Sequence, residues 1–180
     1  MPKVSDEHRE ARRRQILDAS RRAFGRHGYE GATIARLEEE VGLSRGAIFN
    51  YFPNKWELFF TLAQEDEQRA LELWRDEGYA AVLRWVSEQP PDWIGVYLEI
   101  VRLLRTDAEL GAQWRRRNPE LESELRARLA EQQRRGEVRA DVEARDIVQF
   151  LALLIDGLVM APAGLRAFEA RRENRSGVYS

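Results

Sequence analysis

The chain has 180 residues, 43% of them hydrophobic and 33% charged, a composition typical of a folded protein and outside that of disordered chains. It contains no cysteine and only two histidines, His8 and His27, which excludes disulfide scaffolds and leaves a metal centre or metal cofactor without its usual ligands. The net charge is −2, yet residues 1–58 hold 11 Lys and Arg against 9 Asp and Glu, and such a mildly basic N-terminal part favours selective contact with nucleic acid.

Helical periodicity runs along the chain and no stretch alternates as a strand would, so we expect an all-α fold. The first helix is predicted over 7–27, because Gly28 follows as a typical C-terminal stop. Thr33 is a candidate N-cap for a second helix, which Gly42 ends. Ser44 caps a third helix, which must be brief because Pro53 forbids its continuation.

Longer helices are predicted in the rest of the chain, beginning where Asn54 caps a fourth helix and Glu57 supports that cap. The most apolar stretch, 147–163, is interrupted by polar residues and falls short of the roughly 20 residues that cross a bilayer. The charged N-terminus lacks the apolar segment of a signal peptide, so we expect a cytoplasmic protein with no membrane contact. The predicted helices after Asn54 cover 55–77, 79–89, 92–106, 108–117, 120–135, 143–160 and 165–174.

The two short helices of residues 33–52 have the proportions of a helix-turn-helix, in which one helix braces a second that enters the major groove of DNA. Leu37 and Val41 on the bracing helix are expected to pack against Ile48 and Phe52 on the second, with Gly42 at the turn. The residues left on the outer side are Arg45, Gly46, Ala47, Phe49 and Asn50.

Residues 11–58, above all the run TIARLEEEVGLSRGAIFNYFPNKWELF from Thr33, resemble the DNA-binding domain of the TetR family of bacterial transcriptional repressors. The phrases RLEE, SRGAIF and LLRTD are most similar to the aconitase-repressor branch of that family. The resemblance implies a three-helix DNA-binding domain over 1–53 and a helical bundle over 54–180 that dimerises and binds an effector. The implied function is a DNA-binding regulator, a repressor released or modulated by a small molecule.

The resemblance also assigns roles to single residues of the helix-turn-helix. Ser44 caps the reading helix, and Arg45 would take a base through its guanidinium fork or, alternatively, a phosphate. Two residues depart from the family pattern, because Phe49 lacks a hydroxyl for phosphate and Glu38 brings a negative charge, which we expect to face solvent with Glu39 and Glu40. Arg36 is expected to be either a phosphate contact or a surface charge. The implied phosphate contacts are Thr33, Tyr51 and Lys55, and the implied base-facing residues are Arg45, Gly46, Ala47 and Asn50.

The helix predicted over 143–160 carries more apolar surface than one core needs, which fits a helix shared with a second copy in a homodimer. A monomeric bundle is the alternative. Because the last predicted helix is short, the interface is expected to be smaller than the family usually has. The candidate interface residues are Leu151, Leu154, Ile155, Leu158 and Val159.

Polar groups on apolar stripes are the only sign of an effector site. An inward Arg128 needs an anion, supplied either by Asp156 or by a ligand carboxylate, and the branch resemblance favours a citrate-like polycarboxylate, with Mg²⁺ as a possible companion. The alternative is an apolar effector, such as an acyl thioester or a hydrophobic drug, among aromatic side chains. The candidate effector residues are Trp93, Tyr97, Arg105, Arg128, Gln149 and Asp156.

Catalysis is not expected, because Asp66 on the inner stripe of the fourth helix has no second carboxylate, nucleophile or phosphate-binding loop at a defined spacing. No cofactor is expected either. A helical protein–protein adaptor with no role on DNA is a remote alternative, and it requires the resemblance over 33–55 to be coincidental.

Overall fold

A computed structural model describes residues 6–117 and 119–160, and every regular element in those ranges is an α-helix, which confirms the all-α prediction. The helix predicted over 165–174 lies outside the described residues. No helix in the described ranges is long and apolar enough to cross a membrane. The helices are α1 (Asp6–Gly31), α2 (Ile34–Val41), α3 (Arg45–Phe49), α4 (Lys55–Glu77), α5 (Tyr79–Ser87), α6 (Pro91–Thr106), α7 (Ala108–Arg117), α8 (Pro119–Arg134) and α9 (Ala144–Met160).

Side-chain caps start the helices that matter for the site, as the sequence predicts. Thr33 Oγ1 accepts from the amide of Arg36 at 3.4 Å, and Ser44 Oγ accepts from Ala47 at the same distance. Asn54 Oδ1 accepts from the amide of Glu57 at 2.9 Å. Each cap satisfies an amide that has no partner inside its helix.

Gly28 breaks α1, as predicted, but the chain resumes with one more turn. Its φ of 72° and ψ of 170° are non-helical, and the residues up to Gly31 then form a short turn closed by the Ala32 amide on the Gly28 carbonyl at 3.1 Å. We call residues 29–31 the junction turn, because it leads directly into the N-cap of α2.

The chain forms two compact units. The first comprises residues up to 75 together with 90–100, so it contains α1–α3, most of α4 and the first part of α6. Its core consists of fully buried apolar side chains from α1, α4 and α6, among them Ile16, Phe24, Phe59, Leu62 and Ile100.

The second unit comprises residues 76–89 and those from 101 onward. Ala81 and Val82 of α5, Leu129 of α8 and Val148 of α9 are buried in it, and the Tyr79 hydroxyl donates to the carbonyl of Leu151. Packing therefore groups the chain differently from the boundary predicted between residues 53 and 54, because α4 and α6 bury their apolar faces against α1. The functional boundary at that point stays a prediction.

Candidate nucleic-acid interface

The helix-turn-helix is held by the apolar contacts that the sequence predicts. Leu37 and Val41 of α2 and Ile48 and Phe52 next to them are all buried. Gly42 takes the left-handed conformation at the end of α2, with φ 72° and ψ 26°, which favours glycine. This core fixes α3 against α2.

The outer side of α3 presents few obstacles to a close approach. Arg45, Gly46 and Asn50 are exposed, and Ala47 is half-buried. A Cβ built on Gly46 meets no atom within 4 Å, so packing within the chain does not require a glycine at this position. The Arg45 guanidinium lies 5.6 Å from the centroid of the Phe49 ring, which gives Phe49 a contact that the sequence does not reveal. A helix with so little bulk on this side suits entry into a groove.

Two of the three consecutive glutamates of α2 have structural partners, so the expectation that all three face solvent is wrong. Glu38 Oε1 accepts from the backbone amide of Arg45 at 2.6 Å and thereby adds a second cap to α3. Glu40 accepts from Arg22 at 2.9 Å and Arg26 at 2.7 Å, and the hydrogen bond from Arg22 is the main cause that lowers the pKa of Glu40. Glu39 is exposed.

Two of the four candidate phosphate contacts donate to backbone carbonyls of the junction turn. Arg36 Nη1 donates to the Gly31 carbonyl at 2.7 Å, and Lys55 Nζ donates to the Tyr29 carbonyl at 2.9 Å. Burial lowers the pKa of Lys55. Thr33 is exposed and Tyr51 half-buried. A phosphate that reaches Arg36 or Lys55 must therefore share these cations with carbonyl oxygens.

A polar network joins α1, α4 and α6 within the first unit. Asp66 accepts from Arg21 at 2.7 and 3.0 Å, from Trp93 Nε1 at 2.9 Å and from the Tyr97 hydroxyl at 3.0 Å. The Arg21 guanidinium also lies 4.3 Å from the Trp93 ring centroid. Burial raises the pKa of Tyr97, and burial followed by repulsion from Asp66 raises that of Glu67 to about 7. The sequence places Asp66 on the inner stripe of α4, but it does not reveal its partners, which lie on other helices.

Trp93 and Tyr97, predicted to line an effector site, are therefore engaged with Asp66. The other four effector candidates lie in the second unit, where Arg105, Gln149 and Asp156 are exposed. Arg128 Nε is 3.8 Å from Glu124 Oε1, one helical turn earlier. Within the described residues the ion pair of Arg128 is therefore with Glu124 and not with Asp156, which was one of the two alternatives for its anion, because a shared helical stripe does not determine which stripe is buried. The roles of these residues toward an effector stay predictions.

The apolar surface of α9 is exposed on a side that sequence reasoning only partly identified. Leu154 is exposed as an interface residue requires, whereas Leu151, Ile155, Leu158 and Val159 are half-buried. The most exposed large apolar side chains of this helix are Phe150 (60%), Leu153 (61%) and Met160 (70%).

Comparison with known proteins agrees with this geometry. Residues 16–62 match the family model described as bacterial regulatory proteins, tetR family. The chain is 44% identical over 161 residues to the HTH-type transcriptional repressor Rv1474c of Mycobacterium tuberculosis, which covers 88% of this chain and 86% of that protein. It is 42% identical over 149 residues to the HTH-type transcriptional repressor AcnR of Corynebacterium glutamicum, covering 82% of this chain and 79% of the other. Among solved structures, Salmonella enterica GusR has a TM-score of 0.75 at 21% identity, covering 92% of this chain and 90% of that chain, a likeness of fold alone.

Proposed function

The chain belongs to the TetR family of bacterial regulatory proteins, and we propose that it represses transcription by binding one operator sequence through α2 and α3. Membership confirms the resemblance carried by residues 11–58, and the identity to AcnR proteins supports the branch to which that resemblance pointed. The family consists of transcriptional regulators rather than enzymes. Because its target is chromosomal DNA, we place its action in the cytoplasm.

One observation carries the proposed mode of DNA binding. The reading helix α3 is braced by buried side chains on one side and presents exposed Arg45, Gly46 and Asn50 on the other. A guanidinium fork fits the acceptors of guanine, and a carboxamide fits the edge of adenine. Thr33, Arg36, Tyr51 and Lys55 would hold the flanking phosphates, which position the helix without reading sequence.

Binding to the promoter region of its own gene tests the proposal. A mobility-shift titration with that duplex and with a random duplex of equal length, each at several salt concentrations, measures preference and charge contacts separately. We expect a steep salt dependence for both duplexes and tighter binding to the promoter by a factor of about 10³ or more. Equal affinity for the two duplexes contradicts the proposal, and absence of any salt dependence favours the adaptor alternative.

We propose further that the protein acts as a homodimer formed through α9. The exposed apolar side chains Phe150, Leu153 and Met160 form a surface that a single copy leaves in contact with water. A second copy would bury the same residues of its own α9, as a twofold interface requires. Two linked copies would present two reading helices to half-sites about one turn of DNA apart.

Leu153→Arg tests the dimer with little risk to the fold, because this side chain is exposed in the single chain. Light scattering is expected to change from the mass of two chains to that of one, and operator affinity should fall with it, since one reader contacts only half the site. Arg145→Leu, at an exposed position on the same helix, is the control and should leave the dimer intact. A Leu153→Arg protein that remains dimeric contradicts the interface.

A small-molecule effector is the third part of the proposal. Arg128 remains the candidate for a ligand carboxylate, because its 3.8 Å ion pair with half-exposed Glu124 is loose and a bidentate carboxylate would bind better. A thermal scan with citrate plus magnesium should raise the melting temperature of the wild type and leave Arg128→Leu unchanged. An increase with an acyl thioester but not with small carboxylates would support the apolar alternative instead.

A further inference from the structure

The carboxylate of Glu99 in α6 lies at the start of the junction turn, 70 residues away in sequence. Its Oε2 accepts from the amide of Tyr29 at 2.8 Å and from the amide of Glu30 at 3.3 Å. These are the first amides of a helical turn, which have no intrahelical acceptor. Glu99 therefore replaces the N-cap side chain that Gly28 cannot provide.

The absence of a side chain at Gly28 leaves room for the Glu99 carboxylate. A Cβ built on Gly28 would lie 2.3 Å from Glu99 Oε1, closer than any real contact, and the φ of 72° is a conformation that other residues rarely adopt. The glycine thus does more than end α1, because it lets a side chain from α6 reach the backbone between α1 and α2.

Lys55 of α4 binds backbone carbonyls of the same turn. Its ammonium donates to the carbonyl of Tyr29 at 2.9 Å and lies 4.5 Å from the centroid of the Tyr29 ring. That ring is buried and stacks on Phe24 at a centroid distance of 5.7 Å. For Tyr29 and Glu30, the amides are thus bound by Glu99 of α6 and the carbonyls by Lys55 of α4. The Tyr29 ring is held by the core of the first unit.

The junction turn determines where α2 begins. The Thr33 amide donates to the Gly31 carbonyl at 2.8 Å, and Thr33 is both the N-cap of α2 and a candidate phosphate contact. Because α3 is packed rigidly on α2, a displacement of the turn displaces the reading helix as well. A shift on the order of 1 Å is enough to spoil hydrogen bonds to base edges, while contacts to phosphates tolerate it better.

We infer that Glu99 is a positioning residue for operator recognition, which sets the placement of the helix-turn-helix through the junction turn without touching DNA. This inference rests on the proposed DNA-binding function. It makes sequence preference depend on α6, a helix outside the helix-turn-helix that runs from the first unit into the second.

Three variants separate position from charge. Glu99→Leu removes both acceptor oxygens, Glu99→Gln keeps one acceptor without the charge, and Glu30→Gln removes a negative charge from the exposed side of the junction turn while Glu99 is retained. The dissociation constant of each is measured with the operator and with a random duplex across salt. Circular dichroism checks that each variant is folded.

We expect Glu99→Leu to lose at least tenfold in affinity for the operator, with a change under threefold for the random duplex and the same salt slope. Glu99→Gln should restore part of the preference, and Glu30→Gln should keep the wild-type ratio. A folded Glu99→Leu protein with the wild-type ratio of affinities overturns the inference. An equal gain of affinity for both duplexes also overturns it, because that would be an effect of charge alone.

Hydrogen exchange supplies a test that needs no DNA. In the wild type, the Tyr29 amide is expected to exchange at least tenfold more slowly than in Glu99→Leu, while amides in the middle of α4 are equally protected in both. Rapid exchange of Tyr29 in the wild type overturns the inference whatever the DNA result. A wild type with a protected Tyr29 amide and no operator preference would instead refute the proposed function.

Discussion

The network around Asp66 makes the sharpest prediction about stability. Asp66→Ala removes four hydrogen bonds, two from Arg21 and one each from Trp93 and Tyr97. It also leaves the Arg21 guanidinium without its anionic partner. The Arg21 side chain is 29% exposed and that of Asp66 14%, so water replaces the lost carboxylate only in part. Removing one partner of a buried ion pair costs about 3–5 kcal/mol, and the residual exposure places this pair at the lower end, near 3 kcal/mol.

A second ion pair between α1 and α4 is a matched control. Arg14 Nη1 donates to both carboxylate oxygens of Glu65, at 3.0 and 2.9 Å, but the Arg14 side chain is 45% exposed and that of Glu65 33%. Water competes for both groups, so Glu65→Ala should cost at most about 1 kcal/mol. Both neighbouring carboxylates of α4 thus accept from an arginine of α1, but Asp66 is more buried and also accepts from Trp93 and Tyr97 of α6.

Urea unfolding followed by circular dichroism measures both variants, at one protein concentration because the apparent stability of the proposed dimer would depend on it. Asp66→Asn, which keeps one oxygen to accept from Trp93 or Tyr97, should fall between the wild type and Asp66→Ala. If Asp66→Ala and Glu65→Ala have free energies of unfolding within about 0.5 kcal/mol of each other, the reasoning from burial is refuted.

Four further predictions follow from single residues. Arg45→Ala should cost about 1–3 kcal/mol on the operator and far less on random DNA in a mobility-shift titration, and equal losses would show that Arg45 binds phosphate. Lys55→Ala should weaken binding to both duplexes and lower the salt slope by about one, whereas an unchanged slope would mean that Lys55 serves only the carbonyls of the junction turn. Ser20 Oγ is fully buried and has no hydrogen-bond partner among the described residues, so Ser20→Ala should leave the melting temperature equal or higher, and a lower one would reveal a partner. The pKa of Glu67 is raised from 4.5 to about 7, so between these pH values the folded chain keeps a proton that the unfolded chain loses. The free energy of unfolding should therefore fall as pH rises from 4.5 to about 7, by at most about 3 kcal/mol. Glu67→Gln should flatten that fall in urea unfolding at pH 5 and pH 8, and an unchanged fall would assign it to another group.

Local features of this protein were predictable from its sequence. The caps at Thr33, Ser44 and Asn54 act over three residues, so their effect is written within a short stretch of chain. Gly28 and Gly42 likewise indicate where the backbone takes a positive φ, because glycine adopts this conformation at little cost. The resemblance that indicated DNA binding also lies in one continuous segment.

Only the tertiary structure decided which distant polar groups meet. Glu99 is 70 residues from the amide of Tyr29, and Asp66 is 45 residues from Arg21. In the sequence, Glu99 is one of several polar residues of the helix predicted over 92–106, with nothing to distinguish it from a solvated residue. Its role depends on the close approach that packing of α6 against α1 creates.

The same holds for the outward face of α9. This helix is apolar on more than one side, so periodicity cannot determine which side its own unit buries. Ile155 and Leu158 were predicted as interface residues from the sequence. In the second unit both are half-buried, whereas Phe150 and Leu153 are exposed. The rotation of such a helix about its axis is determined by the neighbours it packs against, because its own residue pattern gives nearly equal apolar area to several orientations.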